Sequence, residues 1–393
     1  MNKLINKLFG TYLHQSKQGE NGIDWILFLS TLPLLGAGLV TMNSFTGDST
    51  LFLKQLSWIC VSIIIFFCLS FVDFRFLRRT WVSVTLFLSS CAVLTLLFVV
   101  GRVVKGAVSW FHLGALSFQP SDAIKIVILI ILAKYFSRRH MEIANIRHIL
   151  ISGFYVFVIF SLVMIQPDFG SAIIIFFLWL GMVLVSGISK KHLLALGMIG
   201  LVSFILLWNF GFKEYQKNRI MNFVNPMADI HGSGYNAYQS TIAVGSGQFW
   251  GKGLGYGTQS RLKFLPEFQT DFIFSAYAEE WGFVGVVILF VMFGILVWRI
   301  IVNSLYGETN FEILFGLGVA ILIITHFIIN IGMNIQLLPV TGTTLPFLSY
   351  GGTHILTEFT GLGILMGMRR YRRVAHKDEV KNEFISQYNE NRF

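Results

Sequence analysis

The chain has 393 residues, 54% of them hydrophobic and only 13% charged, with 39 Phe and 7 Pro; a soluble domain carries about 25% charged residues, so the composition points away from a soluble enzyme and to an all-α polytopic membrane protein. The net charge of +10 lies in short basic clusters between apolar runs, the pattern of loops facing anionic lipid and not of a nucleic-acid surface. Cys60, Cys68 and Cys91 sit inside apolar segments without metal-ligand or disulfide spacing and read as small hydrophobes.

A polar N-terminal tail, 1–22, precedes the first apolar run. That run is long enough to span, so no cleavable signal peptide is expected. A bilayer core needs roughly 20 mostly apolar residues per helix. Runs that meet or approach this are Ile23–Met42, Phe52–Val72, Trp81–Val100, Ala123–Phe136, Ile149–Ile165, Gly170–Gly187, Leu193–Phe210, Phe272–Val297, Ile313–Ile335 and Leu356–Met368, about ten transmembrane helices in all. A basic tail, 369–393, follows. Among the short connections, Arg75, Arg78 and Arg79, Arg138, Arg139 and Arg147, Lys190 and Lys191, and Arg299 fall on the side of the N-terminus, against Arg102 and Lys105 on the other. The excess of Lys and Arg marks the cytoplasmic side, so both termini are predicted to be cytoplasmic. The long segment 211–271, between the seventh and eighth spans, is then extracytoplasmic. A segment of that length inside a compact protein is usually functional.

The outer connections carry the chemistry. GAVSWFHLGALSFQPSDAIK (Gly106–Lys125) has an apolar middle too short to cross, which predicts a re-entrant or interfacial stretch with Trp110 and Phe111 at headgroup level. Asp122 and Lys125 share a helix face and can pair; Asp122 either only favours the helix N-terminus or belongs to a charged pair whose cost on entering the membrane implies a task. In QPDFG (Gln166–Gly170), Asp168 either caps the next helix or points a carboxylate at the outer mouth. The long loop mixes Lys217 and Arg219 with a Gly-rich stretch holding Gln239, Ser240 and Lys252. Gly-rich backbone can approach a phosphate closely and Lys supplies a point charge, but no complete P-loop pattern is present. Asp271, the last polar residue before a long apolar helix, is placed either to cap it or to act as a general base at the interface. Glu279 and Glu280 lie deeper and need a partner or a wet cavity. LPVTGTTLPFLSYGG (Leu338–Gly352) is irregular backbone, tolerated near a membrane only where protein buries it or it lines a cavity. Asn330 and Asn334 point to one side of the preceding helix. His326 and His354 read as structural.

GSGYNAYQSTIAVGSG (Gly232–Gly247), GKGLGYGTQSRLKFLPEFQTDFIFSAYAEEWGFVG (Gly251–Gly285) and NIGMNIQLLPVTGTTLPFLSYGG (Asn330–Gly352), together with QPDFG and QPSD, resemble the SEDS family of peptidoglycan glycosyltransferases typified by RodA and FtsW. The resemblance covers about Ile23 to Met368, the expected SEDS-like transmembrane domain 23–368. It implies polymerisation of lipid II into glycan strands, with Asp271 taking the proton from the acceptor sugar 4-hydroxyl. Arg219, Lys252 and Lys263, with Lys125, are implied near the leaving undecaprenyl pyrophosphate, and Gln239, Ser240, Asp122 and Asp168 among the substrate-binding residues. A divalent cation such as magnesium is an open addition, although the sequence shows no metal cage. The implied partner is a class B penicillin-binding protein, a transpeptidase. Two positions depart from the family pattern: Asp122 stands where Glu is usual, and Ser109 where Arg is usual before Trp110. Ile23–Trp25 and DFRFLRR (Asp73–Arg79) favour a RodA-like over an FtsW-like member. A lipid II flippase, which should show broken helices, midplane charges and an internal repeat, and a non-catalytic transpeptidase scaffold are the alternatives.

Overall fold

The computed structural model describes residues 22–45, 49–104, 107–113, 116–137, 146–212, 214–225, 233–262 and 264–390. Most of the N-terminal tail, Lys105 and Lys263 lie outside them. The apolar runs form the helices α1 (Trp25–Phe45), α2 (Ser49–Ser70), α3 (Thr80–Val100), α4 (Pro120–Ser137), α5 (Ile146–Ile165), α6 (Phe169–Ser186) and α7 (Lys190–Leu206, extended by a π turn Leu207–Gly211). The segment 211–271 contributes α8 (Glu214–Val224), α9 (Ser233–Ser246) and the single turn α10 (Thr258–Arg261), and the chain closes with α11 (Ile273–Leu305), α12 (Asn310–Asn334) and α13 (Gly352–Glu390). Among the described residues eight helices (α1, α2, α3, α5, α6, α7, α11, α12) are long and apolar enough to cross a membrane. The other two predicted spans fall on α4, which carries Asp122, Lys125 and Lys134, and on the first half of α13, which carries His354 and Glu358. The predicted basic tail continues α13 as helix to Glu390.

Side chains that are apolar all round a helix suit lipid on one side and neighbouring helices on the other. The centre is formed by α4, α6, α11, α12 and α13, whose Leu129, Ile175, Leu178, Phe293, Phe315, Ile355 and Phe359 are buried. In contrast, α7 has no buried residue and lies at the periphery. α13 packs along α2, where Gly363 and Gly367 let the backbones meet: a Cβ at Gly363 would lie 3.0 Å from the Phe66 carbonyl, and one at Gly367 2.8 Å from that of Leu69. Small residues at membrane helix contacts act in this way.

The stretch expected to be re-entrant or interfacial folds as a small antiparallel sheet, β1 (Arg102–Val104), β2 (Ala107–Leu113) and β3 (Leu116–Phe118), with Phe111 opposite Phe118 and Leu113 opposite Leu116. β-branched and aromatic residues in a segment too short for a helical span favour the strand, and cross-strand bonds satisfy the backbone groups a membrane would leave unpaired.

At the end of the bundle that carries the N-terminus, Asp24 is 1% exposed. It receives Asn303 Nδ2 at 2.7 Å and Leu27 N at 3.1 Å, pairs with Arg299, and lies 3.3 Å from Arg369. Burial alone would raise its pKa, but the hydrogen bonds from Asn303 and Leu27 and the Arg299 guanidinium outweigh it and hold the carboxyl below its ordinary value of 3.8. A lowered folded pKa means the pair's contribution is complete above pH 3.8 and is lost as pH falls through the folded value. Asp24→Ala is therefore expected to destabilise the protein by about 3 kcal/mol at neutral pH, the low end for a broken buried pair, because both guanidinium groups keep some exposure. Thermal unfolding at pH 7 and below 3.8 checks this, since the difference from wild type should shrink at the lower pH.

Candidate active site

Asp271 sits in the turn before α11, half-exposed, with Phe272 and not Asp271 at the helix N-cap position. Its backbone is pinned from α12: Asn330 Nδ2 and Asn334 Nδ2 donate to the Asp271 carbonyl at 3.0 and 3.1 Å. The one-turn spacing that put both amides on one side of α12 in the sequence brings them to one acceptor. Asn334 Oδ1 in turn accepts from the Ser275 hydroxyl at 2.6 Å, and the fully buried Ser240 hydroxyl lies 2.6 Å from that of Ser275. Leu265, Phe272 and Ala243 form a small buried apolar cluster beneath, against Phe268 and Val340.

The Asp271 carboxylate lies over Gly342, where a Cβ would come 3.5 Å from Oδ2. Gly342 has φ +73°, a conformation glycine adopts without steric cost. The same loop meets the QPDFG turn, because a Cβ at Gly170 would lie 2.7 Å from the Thr341 carbonyl. Asp168 does cap α6, accepting Ser171 N at 3.0 Å, and its second oxygen receives Gln119 Nε2 at 3.1 Å and the Ser121 hydroxyl at 3.4 Å. QPSD, QPDFG and the 338–352 loop thus converge with Asp271 at one end of the bundle. Arg219 of α8 lines a small cleft against Leu338, Pro339 and Val340 of that loop, beside the same platform.

Asp122 and Lys125 pair at 2.8 Å as their spacing predicted, with side chains 7% and 3% exposed. Removing one partner of such a pair leaves the other charge buried and uncompensated. Asp122→Ala is expected to impair activity more than Asp122→Glu, which keeps the charge; equal activity in two folded variants, read in a polymerisation assay, would exclude a role for the pair.

The Gly-rich loop is bolted to α11 by the two glutamates. Glu279, fully buried, accepts Lys252 Nζ at 2.7 Å, the Thr258 hydroxyl at 3.1 Å and Gln259 N at 3.1 Å. Glu280 accepts the Ser44 hydroxyl and Gly255 N, each at 2.6 Å. α11 is broken at Gly282 (φ 64°, ψ −166°), where a side chain would strike Gly251 N. Lys252 therefore compensates a buried carboxylate, with its side chain 27% exposed. Gln239 stands half-buried beside Ser240 on α9.

The structure therefore gathers Asp271, Asp168, Arg219 and the Asp122–Lys125 pair around the 338–352 loop, whereas Ser240 and Lys252 are engaged with Ser275 and Glu279. Sequence reasoning missed the roles of His354, which lies against Asp122, and of Glu358, which lies against His354; their one-turn spacing on α13 was the available signal. Among the described residues no group of three or more His, Cys, Asp or Glu is arranged to hold a metal ion.

The sequence model of the FtsW/RodA/SpoVE family, described as "Cell cycle protein", matches residues 23–374. The chain is 36% identical over 363 residues to stage V sporulation protein E of Bacillus subtilis, covering 89% of this chain and 98% of that protein. It is 36% identical over 278 residues to the peptidoglycan glycosyltransferase MrdB of Escherichia coli, covering 70% and 75%. A solved structure described as "Structural coordination of polymerization and crosslinking by a peptidoglycan synthase complex" superposes with a TM-score of 0.77 at 30% identity, covering 89% of this chain and 98% of that one. Proteins named RodA and FtsW both occur among the matches, at 29% and 34% identity, so the comparisons do not separate the two types.

Proposed function

The chain belongs to the FtsW/RodA/SpoVE family, and on that premise we propose how it works as a peptidoglycan glycosyltransferase that polymerises lipid II. The observation that carries the reading is the half-exposed Asp271 carboxylate, its backbone fixed by two asparagines, at the meeting point of three turn motifs. A carboxylate so held can accept a proton without reorganising. Asp271 takes the proton of the acceptor 4-hydroxyl, the acceptor oxygen forms a bond to the donor anomeric carbon, and the bond from that carbon to undecaprenyl pyrophosphate breaks. Arg219, on the same platform, is suited to the charge that develops on the pyrophosphate.

The Lys and Arg distribution supports placing this end of the bundle outside the cytoplasmic membrane, where lipid-linked sugar is displayed. Ile23–Trp25 and Asp73–Arg79 support a role in elongation and cell shape. A class B transpeptidase partner fits the likeness to a complex that coordinates polymerisation and crosslinking. Reconstituted protein supplied with labelled lipid II tests the reading: glycan polymer is expected, and lipid II crossing the vesicle membrane with no polymer formed would replace the polymerase by a flippase.

A further inference from the structure

The buried charges beneath the 341–349 loop extend beyond the Asp122–Lys125 pair. His354 stands between two carboxylates, with Nδ1 3.7 Å from Asp122 Oδ1 and Nε2 2.9 Å from Glu358 Oε1. The other oxygen of Glu358 accepts the backbone N–H of Phe347 at 3.0 Å. On the opposite side Lys125 Nζ lies 3.4 Å from His326 Nε2, and His326 Nδ1 lies 3.3 Å from the Thr344 carbonyl. The two imidazole rings are 4.6 Å apart. None of these five side chains belongs to a residue more than 6% exposed.

A cluster this dense in ionisable groups is costly inside an apolar bundle and implies a task. Its position indicates which one, because both branches end on the backbone of a single loop. Phe347 is held at φ +59°, a sparsely populated conformation for a non-glycine residue that persists only where its surroundings impose it. Glu358 holds the N–H of this residue from below. The far side of the loop faces Asp271: Gly342 underlies the carboxylate, the Thr343 carbonyl shares Asn330 Nδ2 with the Asp271 carbonyl, and the Ser349 hydroxyl donates to the Thr270 carbonyl at 2.6 Å. The loop lies between the cluster and the Asp271 carboxylate, bonded on both sides.

We propose that Glu358, steadied by His354, is a positioning residue for Asp271, holding the 341–349 loop in the strained form against which the Asp271 carboxylate is set. This rests on the reading of Asp271 as the catalytic base. Its signature is a loss in turnover without a loss in substrate affinity, because Glu358 is buried away from the surface that lipid II would touch.

The test is steady-state lipid II polymerisation by the full chain with its transpeptidase, comparing wild type, Glu358→Ala, Glu358→Gln and His354→Ala, each checked for a monodisperse folded state. Glu358→Ala is expected to lower kcat by about 10- to 100-fold, the scale of a small misplacement of a reacting group, with KM little changed. Glu358→Gln keeps an acceptor for the Phe347 N–H and should recover most of that loss. His354→Ala, which leaves that bond but removes its support, should show a smaller loss of the same kind and serves where Glu358→Ala does not fold. Wild-type turnover in Glu358→Ala, a loss confined to KM, or a folded Glu358→Gln as impaired as Glu358→Ala would each overturn the proposal. No polymer from wild type would instead overturn the glycosyltransferase reading, and this proposal with it.

Discussion

Asp271→Asn is expected to lower polymerisation by about 10²- to 10⁴-fold, the usual contribution of a positioned general base, while leaving the fold intact. The two halves of that expectation come from different atoms of one residue. The bonds from Asn330 and Asn334 go to the Asp271 carbonyl, which the substitution does not touch. The carboxylate at Gly342 becomes an amide of nearly the same shape that cannot take a proton. Thermal unfolding close to wild type beside a collapse in product would match the assignment. Asp271→Asn that retained wild-type turnover would move the base elsewhere.

The second large effect is expected at Glu279, although it stands away from the reacting atoms. Its carboxylate is fully buried and collects donors from Lys252, Thr258, Gln259 and, at 3.3 Å, Ser246. Glu279→Ala removes the acceptor these donors share and leaves the Lys252 ammonium without its counter-charge, a loss of about 3 kcal/mol, the low end for a broken buried pair, because that ammonium keeps its bond to Thr258 and some exposure. The backbone bonds from Lys252 N and Gly253 N to the Glu279 and Glu280 carbonyls remain, so the expected failure is local: faster amide exchange and easier proteolysis over 251–261, with activity lost in step. Global unfolding equal to wild type together with unaltered exchange in that loop would contradict the clamp.

Much of this was legible in the sequence because it is local. Hydrophobic runs of spanning length gave the helices, and the three-residue spacing of Asp122 and Lys125 gave their ion pair. The position of Asp168 at the start of an apolar run gave its cap, and the depth of Glu279 and Glu280 required partners that the structure supplies. The rest depends on residues far apart in the chain. Nothing near Glu279 in sequence names Lys252 as its counter-charge, and nothing near Phe347 announces that Glu358 reaches back to its N–H. His354 read as structural until folding placed it beside Asp122. The short sheet was hidden because an apolar stretch below spanning length fits a re-entrant segment and a strand pair equally well until its backbone partners are known.

The assignment of Asp271 as the base of a lipid II polymerase stands or falls on product formation from purified lipid II by wild type and Asp271→Asn, each with the cognate transpeptidase and each shown to be folded. Glycan polymer is expected from wild type, and about 10²- to 10⁴-fold less from Asp271→Asn. Equal polymer from both would remove Asp271 from the chemistry, and no polymer from wild type with authentic substrate and partner present would contradict the glycosyltransferase itself.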